Sequence, residues 1–393
     1  MLTDMAEALS ARGLSVEVIT SRQRYDDPYA NLPFREVING VSVTRIATTR
    51  FGRSSLVLRA VDYLTFYLSA TLVLLRMSRR GDVVVCKTDP PMLSVVVGPF
   101  ARLRGAKVAN WLQDLFPEAA ERNMSDRSRQ RTRPLFKLLR SLRNRSLRRA
   151  SFNVVIGDLM RDMLVEQNVD PQRIRLIPNW ADGALMKARP FAESTLRREL
   201  VPKASFVVGY SGNLGRVHDV ETMLAAIRTV EREFQDVSIS WLIIGGGAGY
   251  EKLRQDVERE GLTSVVFAPY QPRSALPDSL AAADVHIASL RPEFEGLIVP
   301  SKFSGIAAAG RPTIFIGDHN GEIARWITRY DCGVVVSPGD AGALTCAILA
   351  LVDNPARLHQ LGANARRAFD AHFALPAAVG AFEAALARIE PRS

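Results

Sequence analysis

The chain is punctuated by short apolar runs that alternate with stretches of helical periodicity, and this alternation constrains the fold more than any other feature. In the first half the runs lie at residues 15–20, 41–46, 82–86, 106–112, 152–156 and 174–177. In the second half they lie at 205–210, 237–244, 265–267, 285–288, 313–316 and 333–336. Strands of this kind, separated by helices, predict parallel sheets covered on both faces, a doubly wound α/β fold. Between the halves, residues 182–203 lose periodicity and mix charge with proline, which predicts a domain boundary. The opening departs from the pattern. Residues 1–12 read as an amphipathic helix with Leu2, Met5, Ala6 and Leu9 on one face, closed by Gly13. A parallel sheet ordinarily opens on a strand, so the first strand is expected to be missing and an edge or slot left unfilled.

With 393 residues, 47% of them hydrophobic and 23% charged, the chain can bury two cores and does not have the composition of a disordered one. Its charge of +10 is local. Residues 127–149 hold ten of the 51 basic residues and no acid, so the remainder, 41 basic against 41 acidic, is neutral. That points to a localised anionic partner and away from general nucleic-acid binding. Cys86, Cys332 and Cys346 are too few and too dispersed for a disulfide framework or a metal-ligand set, and read as reduced thiols. The longest apolar run, 63–75, is shorter than a membrane span, and no basic region, apolar core and cleavage site open the chain. The expected location is the cytoplasm or the inner face of a membrane.

Ligands of doubly wound sheets bind where the strands end, so the residues after each apolar run are the candidates. Lys87 and Asp89 follow the third run, and Gln113, Asp114 and Glu118 the fourth; turn capping is the alternative for each. In the second half the runs lead to Ser211-Gly212-Asn213-Leu214-Gly215-Arg216, to Gly245-Gly246-Gly247, to Tyr270 and to Glu293 with Glu295. These glycines let a ligand approach the backbone, but they do not form the G-x-G-x-x-G fingerprint of a dinucleotide site. The densest candidate is Glu295-Gly296-Leu297-Ile298-Val299-Pro300-Ser301-Lys302, which runs through Gly305 to Gly310-Arg311-Pro312. A loop that delivers backbone N–H groups to a helix start, with a lysine beside it, suits a diphosphate. An ordinary strand-to-helix turn with a solvated lysine is the alternative. No Asp-x-Asp cluster suited to a divalent cation accompanies it.

The basic segment has its own pattern. Leu135, Leu138, Leu139 and Leu142 form one helical stripe, with Arg133, Lys137, Arg140, Arg143 and Arg145 around it. Such a helix can insert its leucines at a membrane interface and set its cations on acidic lipid heads. The alternatives are a solvated helix packed by its leucines, or an RNA-binding face, which would need interleaved aromatic residues.

Taken together, these segments resemble a family. Ser211-Gly212-Asn213-Leu214, the Gly245 cluster, Glu295-Gly296 with Gly310-Arg311-Pro312, and Gly333 through Pro338-Gly339-Asp340 have the order and spacing of the retaining glycosyltransferases of family 4. In the first half Phe51-Gly52-Arg53, Lys87 to Pro91, Trp111 to Glu118 and Ile177 to Asp182, and in the second Val299 to Lys302, resemble the WbuB/WcaI-type enzymes of bacterial O-antigen, colanic acid and exopolysaccharide synthesis. The resemblance implies the GT-B architecture, two facing Rossmann-like doubly wound domains. An acceptor domain over 1–183 and a donor domain over 184–375 are expected, with the last helix, about 376–393, packing back on the first.

By that resemblance Glu295 touches the donor sugar, while N–H groups at Gly296, Leu297 and Ile298, with Ser301 and Lys302, hold the diphosphate. Gly212, Asn213, Arg216 and Gly246 would face the donor phosphates, and Tyr270 the base. Gln113 and Asp114 would serve catalysis on the acceptor side, with Lys87, Asp89 and Trp180 binding the acceptor. The family often carries Arg and Lys where this chain has Asn213 and His218, so phosphate charge falls to Arg216 and Lys302. A second glutamate is usual where Phe303 or Gly305 stands. The implied reaction moves a sugar, by resemblance an N-acetylated amino sugar linked to UDP, with retention and without a metal, to a polyprenyl-diphosphate-linked acceptor at the inner membrane face. Its rivals are another GT-B enzyme, such as a phosphorylase or epimerase, and a truncated non-catalytic membrane scaffold.

Overall fold

The computed structural model describes residues 1–22, 32–49, 51, 56–187 and 189–389. Of the motif Phe51-Gly52-Arg53, Gly52 and Arg53 therefore lie outside the described residues. Contacts divide the chain into two compact units, Met1–Ile177 with the chain from Val379 onward, and Pro178–Ala378.

The first unit opens on α1 (Leu2–Ala11), which buries Met5, Ala6 and Leu9 and ends before Gly13 at φ +90°. Three strands follow as one sheet in the order β1 (Glu17–Ser21), β3 (Val41–Ile46), β2 (Arg35–Ile38). β2 and β3 are an antiparallel hairpin on Asn39 (φ +48°) and Gly40 (φ +82°), the signs required by a two-residue hairpin turn. β2 is absent from the sequence expectation, although the Asn-Gly pair announces it. Then α2 (Leu56–Met77), β4 (Val83–Lys87), α3 (Leu93–Leu103), β5 (Lys107–Trp111), α4 (Glu118–Arg122), α5 (Asp126–Arg149), β6 (Phe152–Val155), α6 (Asp158–Glu166) and β7 (Ile174–Leu176) build a parallel sheet, β4-β5-β6-β7.

One core serves both sheets. Ile46 of β3, Ala70 and Leu74 of α2, Cys86 of β4, and Val97 and Ala101 of α3 are buried together, with Ile19 and Val84 packed against them. Yet among the described residues no ladder joins β1 to β4. The two sheets lie under the same helices, and among the described residues their edge strands β1 and β4 have no ladder neighbour on the side away from β3 and β5. Contrary to the short apolar run read from the sequence, α2 contains a stretch, Leu58–Met77, long and apolar enough by length and composition to cross a membrane.

The second unit has one six-stranded parallel sheet, ordered β10-β9-β8-β11-β12-β13. In sequence it runs α7 (Thr195–Leu200), β8 (Phe206–Asn213), α8 (Glu221–Glu233), β9 (Ile239–Gly246), α9 (Ala248–Glu260), β10 (Val265–Ala268), α10 (Leu276–Ala281) and β11 (Val285–Ser289). It continues through α11 (Lys302–Ala308), β12 (Thr313–Ile316), α12 (Glu322–Tyr330), β13 (Gly333–Val336), α13 (Ala341–Asp353) and α14 (Pro355–Ala368) to the start of α15 (Leu375–Ala387), whose residues from Val379 onward belong to the first unit. The order reverses between β8 and β11, so the carboxyl ends of those strands flank a topological switch point, where open α/β sheets bind ligands. Within the first unit, Phe382 of α15 packs with ring centroids 5.7 Å from Trp111 and 6.0 Å from Phe152.

Candidate active site

In the second unit, the carboxyl ends of β8, β9 and β11 gather most of the residues picked out from the sequence. β8 and β9 stay paired to their last residues, Gly212 with Gly245 and Asn213 with Gly246. The expected loop at 211–213 is therefore strand. Glycine is what permits this closeness, since Gly245 sits at φ +137° and a Cβ there would lie 2.1 Å from the Gly212 carbonyl oxygen. Lys302 crosses the end of β8, donating from Nζ to the Asn213 carbonyl at 2.9 Å, with Nζ 5.1 Å from the Tyr210 ring centroid. Burial lowers its pKa from 10.5 to about 8, because a carbonyl dipole and a ring face replace water incompletely around an ammonium.

His218 lies beneath, 7% exposed, with Nδ1 2.7 Å from the Ser289 carbonyl oxygen, which holds a proton on Nδ1. Burial and then the Lys302 charge push its pKa down to about 4. At neutral pH this ring carries no charge for a phosphate. Tyr270, 60% exposed, reaches Asn213 Oδ1 at 3.5 Å, and its ring crowds Gly246, where a Cβ would come within 2.9 Å. Arg216 is exposed and makes no ion pair among the described residues.

Glu295 follows the short 3-10 turn Pro292–Phe294 and precedes Gly296 at φ +74°. Its Oε2 accepts the Glu322 N–H at 3.1 Å, capping the first turn of α12, while Oε1 has no hydrogen-bond partner among the described residues. Burial raises its pKa to about 7, opposed by the Glu322 amide and assisted by the charges of Asp318 and Glu322. The capping role of Glu295 was not visible in the sequence; the Gly321-Glu322 pair opening a helix after β12 is the signal that would have found it.

The structure corrects one expectation about this loop. The N–H groups of Leu297 and Ile298 both donate to the Phe294 carbonyl, at 3.0 and 3.2 Å. The turn uses the amides that were to hold a diphosphate. α11 has only seven residues, and Ser301 at its start makes no side-chain cap.

In the first unit, β4 ends at Lys87, whose Nζ lies 5.9 Å from the Trp111 ring centroid. Thr88 Oγ1 accepts the Gln113 N–H at 3.2 Å and so ties the loop after β4 to that after β5. Gln113 Nε2 and Asp114 Oδ1 are buried without hydrogen-bond partners among the described residues. Burial raises the Asp114 pKa, against a bond from Thr88. A buried donor and acceptor left open in adjacent residues are a reason to expect a polar ligand. Asp89 is exposed, and the peptide bonds before Pro90 and Pro117 are cis. Trp180 belongs to the second unit and is 4% exposed, so its ring is not presented to solvent.

The α5 cations are also redistributed. Arg143 is 6% exposed and donates to Glu118 Oε1 at 2.7 Å; Arg140 pairs with Glu118 at 3.0 Å and Glu121 at 2.5 Å. These two arginines join α5 to α4 and do not surround an exposed leucine stripe as expected. Leu139 is half-buried beside them. Among the described residues no group of three or more His, Cys, Asp or Glu is arranged to hold a metal ion.

Residues 1–180 match the glycosyl transferase 4-like domain, and residues 205–354 match the glycosyl transferases group 1 family. The chain thus carries a glycosyl transferase 4-like domain and a glycosyl transferases group 1 domain. This glycosyltransferase is 29% identical to WbjE of Pseudomonas aeruginosa, a glycosyltransferase by name, over 271 residues; these are 68% of this chain and 65% of WbjE, just under two thirds of that protein. It is 22% identical over 354 residues to WcaI of Escherichia coli K12, which is named for glycosyl transfer in colanic acid biosynthesis, with 88% of this chain and 86% of WcaI covered. Sucrose-phosphate synthase of Thermosynechococcus elongatus has the same fold, with a TM-score of 0.77 at 20% identity over 99% of this chain and 92% of the synthase. Anabaena HepE, solved with UDP-glucose, gives 0.71 at 16% identity over 99% and 95%. The architecture is thus GT-B, and the chain is a transferase related to enzymes of polysaccharide biosynthesis.

Proposed function

We propose that this glycosyltransferase moves a sugar from a nucleoside-diphosphate donor, UDP-linked and of the N-acetylated amino type, with retention at the anomeric carbon. The acceptor is a polyprenyl-diphosphate-linked saccharide at the inner face of the plasma membrane, in O-antigen or exopolysaccharide synthesis. The observation that carries the donor half is Lys302, a cation largely withdrawn from water and held across the end of β8 by a single carbonyl. A diphosphate there would restore its charged form, and charge that develops on the leaving phosphate is stabilised best by a cation already in place. Exposed Arg216 supplies the second charge, and the reaction runs without a metal. The UDP-glucose held by HepE supports a nucleotide-sugar donor.

Glu295 is assigned to the donor sugar. Its open Oε1 offers an acceptor for a sugar hydroxyl, and α12 fixes the other oxygen. Tyr270 offers an exposed ring to the base. In the first unit Gln113 Nε2 and Asp114 Oδ1 are assigned to the acceptor, with Asp114 orienting the attacking hydroxyl or taking its proton. α5 brings the enzyme to the membrane. Thermal stabilisation of the purified chain by UDP, GDP and ADP and their sugars tests the donor half, since a ligand of the folded state raises its midpoint. A selective shift with a UDP-sugar is expected, and transfer should survive EDTA. No shift with any nucleotide, in protein shown to be folded, would sink the donor assignment.

A further inference from the structure

α2, α3 and α5 lie side by side, α3 packed against both neighbours. Its C-terminal arginines also join them: Arg102 donates to the Arg149 carbonyl of α5, and Arg104 to the Ser78 carbonyl beyond α2. α2 turns Ala70 and Leu74 into the core, as α3 does Val97 and Ala101. The opposite faces of these helices carry exposed apolar side chains where a soluble protein is ordinarily polar. On α2, Leu64, Leu68 and Leu72 recur every four residues and are 56%, 58% and 58% exposed. α3 adds Phe100 at 39% and Leu103 at 78%. α5 adds Leu135, Leu138 and Leu142.

Charge decides what such a surface meets. The α2 stripe continues into Arg76, followed by Arg79 and Arg80, and the α5 stripe is bounded by Arg131 and Arg145, all exposed. α3 has no acid; on α2 the only one is Asp62, which accepts from Thr49 and Phe51, and on α5 it is Asp126 at the first residue. Leucines bordered by arginines that make no ion pair among the described residues, with the acids of these helices confined to the margins, complement an anionic lipid interface. A second copy docking on this same face would set arginines against arginines, a like-charge juxtaposition that opposes self-association.

We infer that the outer faces of α2, α3 and α5 form one docking surface for an anionic bilayer, with α2 as the principal inserted helix. α2 lies in the interface and does not span. Its inner face is core to both sheets of the unit, and leaving the domain would open that core. The inference rests on the proposed membrane role of α5 and extends it, giving α5 mainly the cations and α2 and α3 the deepest apolar side chains.

The test is co-sedimentation of the full chain with phosphatidylcholine vesicles with and without phosphatidylglycerol. Binding should require the anionic lipid. Replacing Leu64, Leu68 and Leu72 together by Asn should weaken it by about tenfold or more at an unchanged Tm, and Leu103→Asn should weaken it less. If the α2 variant binds as wild type while Leu135, Leu138 and Leu142 to Asn abolishes binding, α5 acts alone and the inference fails. If neither variant changes vesicle binding, the membrane role of α5 fails with it. Should the α2 triple instead convert a dimer to a monomer in sedimentation equilibrium, with vesicle binding intact, the face belongs to a second copy. A conservative control guards against misfolding: Leu68→Trp should retain binding, and its fluorescence should be quenched by brominated lipid more than that of the wild-type tryptophans; unquenched Leu68→Trp on bound protein overturns insertion of α2.

Discussion

Glu295 and Lys302 stand seven residues apart in sequence, and each is held by burial toward its neutral form. For Glu295 the folded pKa rises from 4.5 to about 7. The stability tied to this group is therefore complete below 4.5 and is lost as pH rises through 7, because above 4.5 the unfolded chain releases its proton more readily. Glu295→Gln keeps an acceptor for the Glu322 amide and removes the titration. Relative to wild type, the variant should gain on the order of 2 kcal/mol between about pH 5 and pH 8, read as a widening Tm difference, while sugar transfer falls. A constant difference would show that Glu295 does not titrate there. Lys302→Met should weaken UDP binding by about tenfold to a hundredfold in calorimetry; unchanged affinity would remove Lys302 from the diphosphate site. The identities of both residues could be read from the chain. Their surroundings could not, because the Phe294 carbonyl that takes the Leu297 and Ile298 amides, and the α12 start that occupies Glu295, depend on how the loop turns.

Among the elements, β11 carries the densest set of buried polar groups. Asp284, immediately before it, accepts from Arg197 of α7 at 2.8 Å and from the Val207 N–H of β8 at 2.7 Å, and both charged groups are buried. Removing one partner strands the other, so Asp284→Ala should cost about 3–5 kcal/mol in denaturant unfolding; a loss below about 1 kcal/mol would mean that water reaches Arg197. His286 within β11 and His218, bonded at its end, are both lowered from 6.5 to about 4, by burial first. Their neutral forms are favoured by folding, so stability present above 6.5 is lost as pH falls through 4. The Tm should drop across that window and recover in part in a His218→Asn variant. Element by element, the parallel strands were legible because buried strands read as apolar runs bounded by turns. β2 was not, since Arg35–Ile38 is half polar and only its Asn-Gly turn marks it. The fate of Arg140 and Arg143 was hidden for a different reason: their partners Glu118 and Glu121 approach only once α4 has folded against α5.

At the scale of the whole molecule, the two-domain α/β organisation could be read from one repeating pattern, whereas which surfaces remain open could not, because period and composition do not say which helix covers which strand. The open edges of β1 and β4 are such a surface. Both strands run parallel to their ladder partners, both are five residues long, and among the described residues neither has a ladder neighbour on its other side. An unpaired backbone edge accepts any extended segment that reaches it, including one from another molecule. The consequence concerns handling before chemistry: on warming, loss of soluble protein should accelerate with concentration, as a reaction between chains does and an intramolecular one does not. Light scattering at two protein concentrations would tell these apart, and a concentration-independent rate would mean that the two edges are shielded from one another's kind.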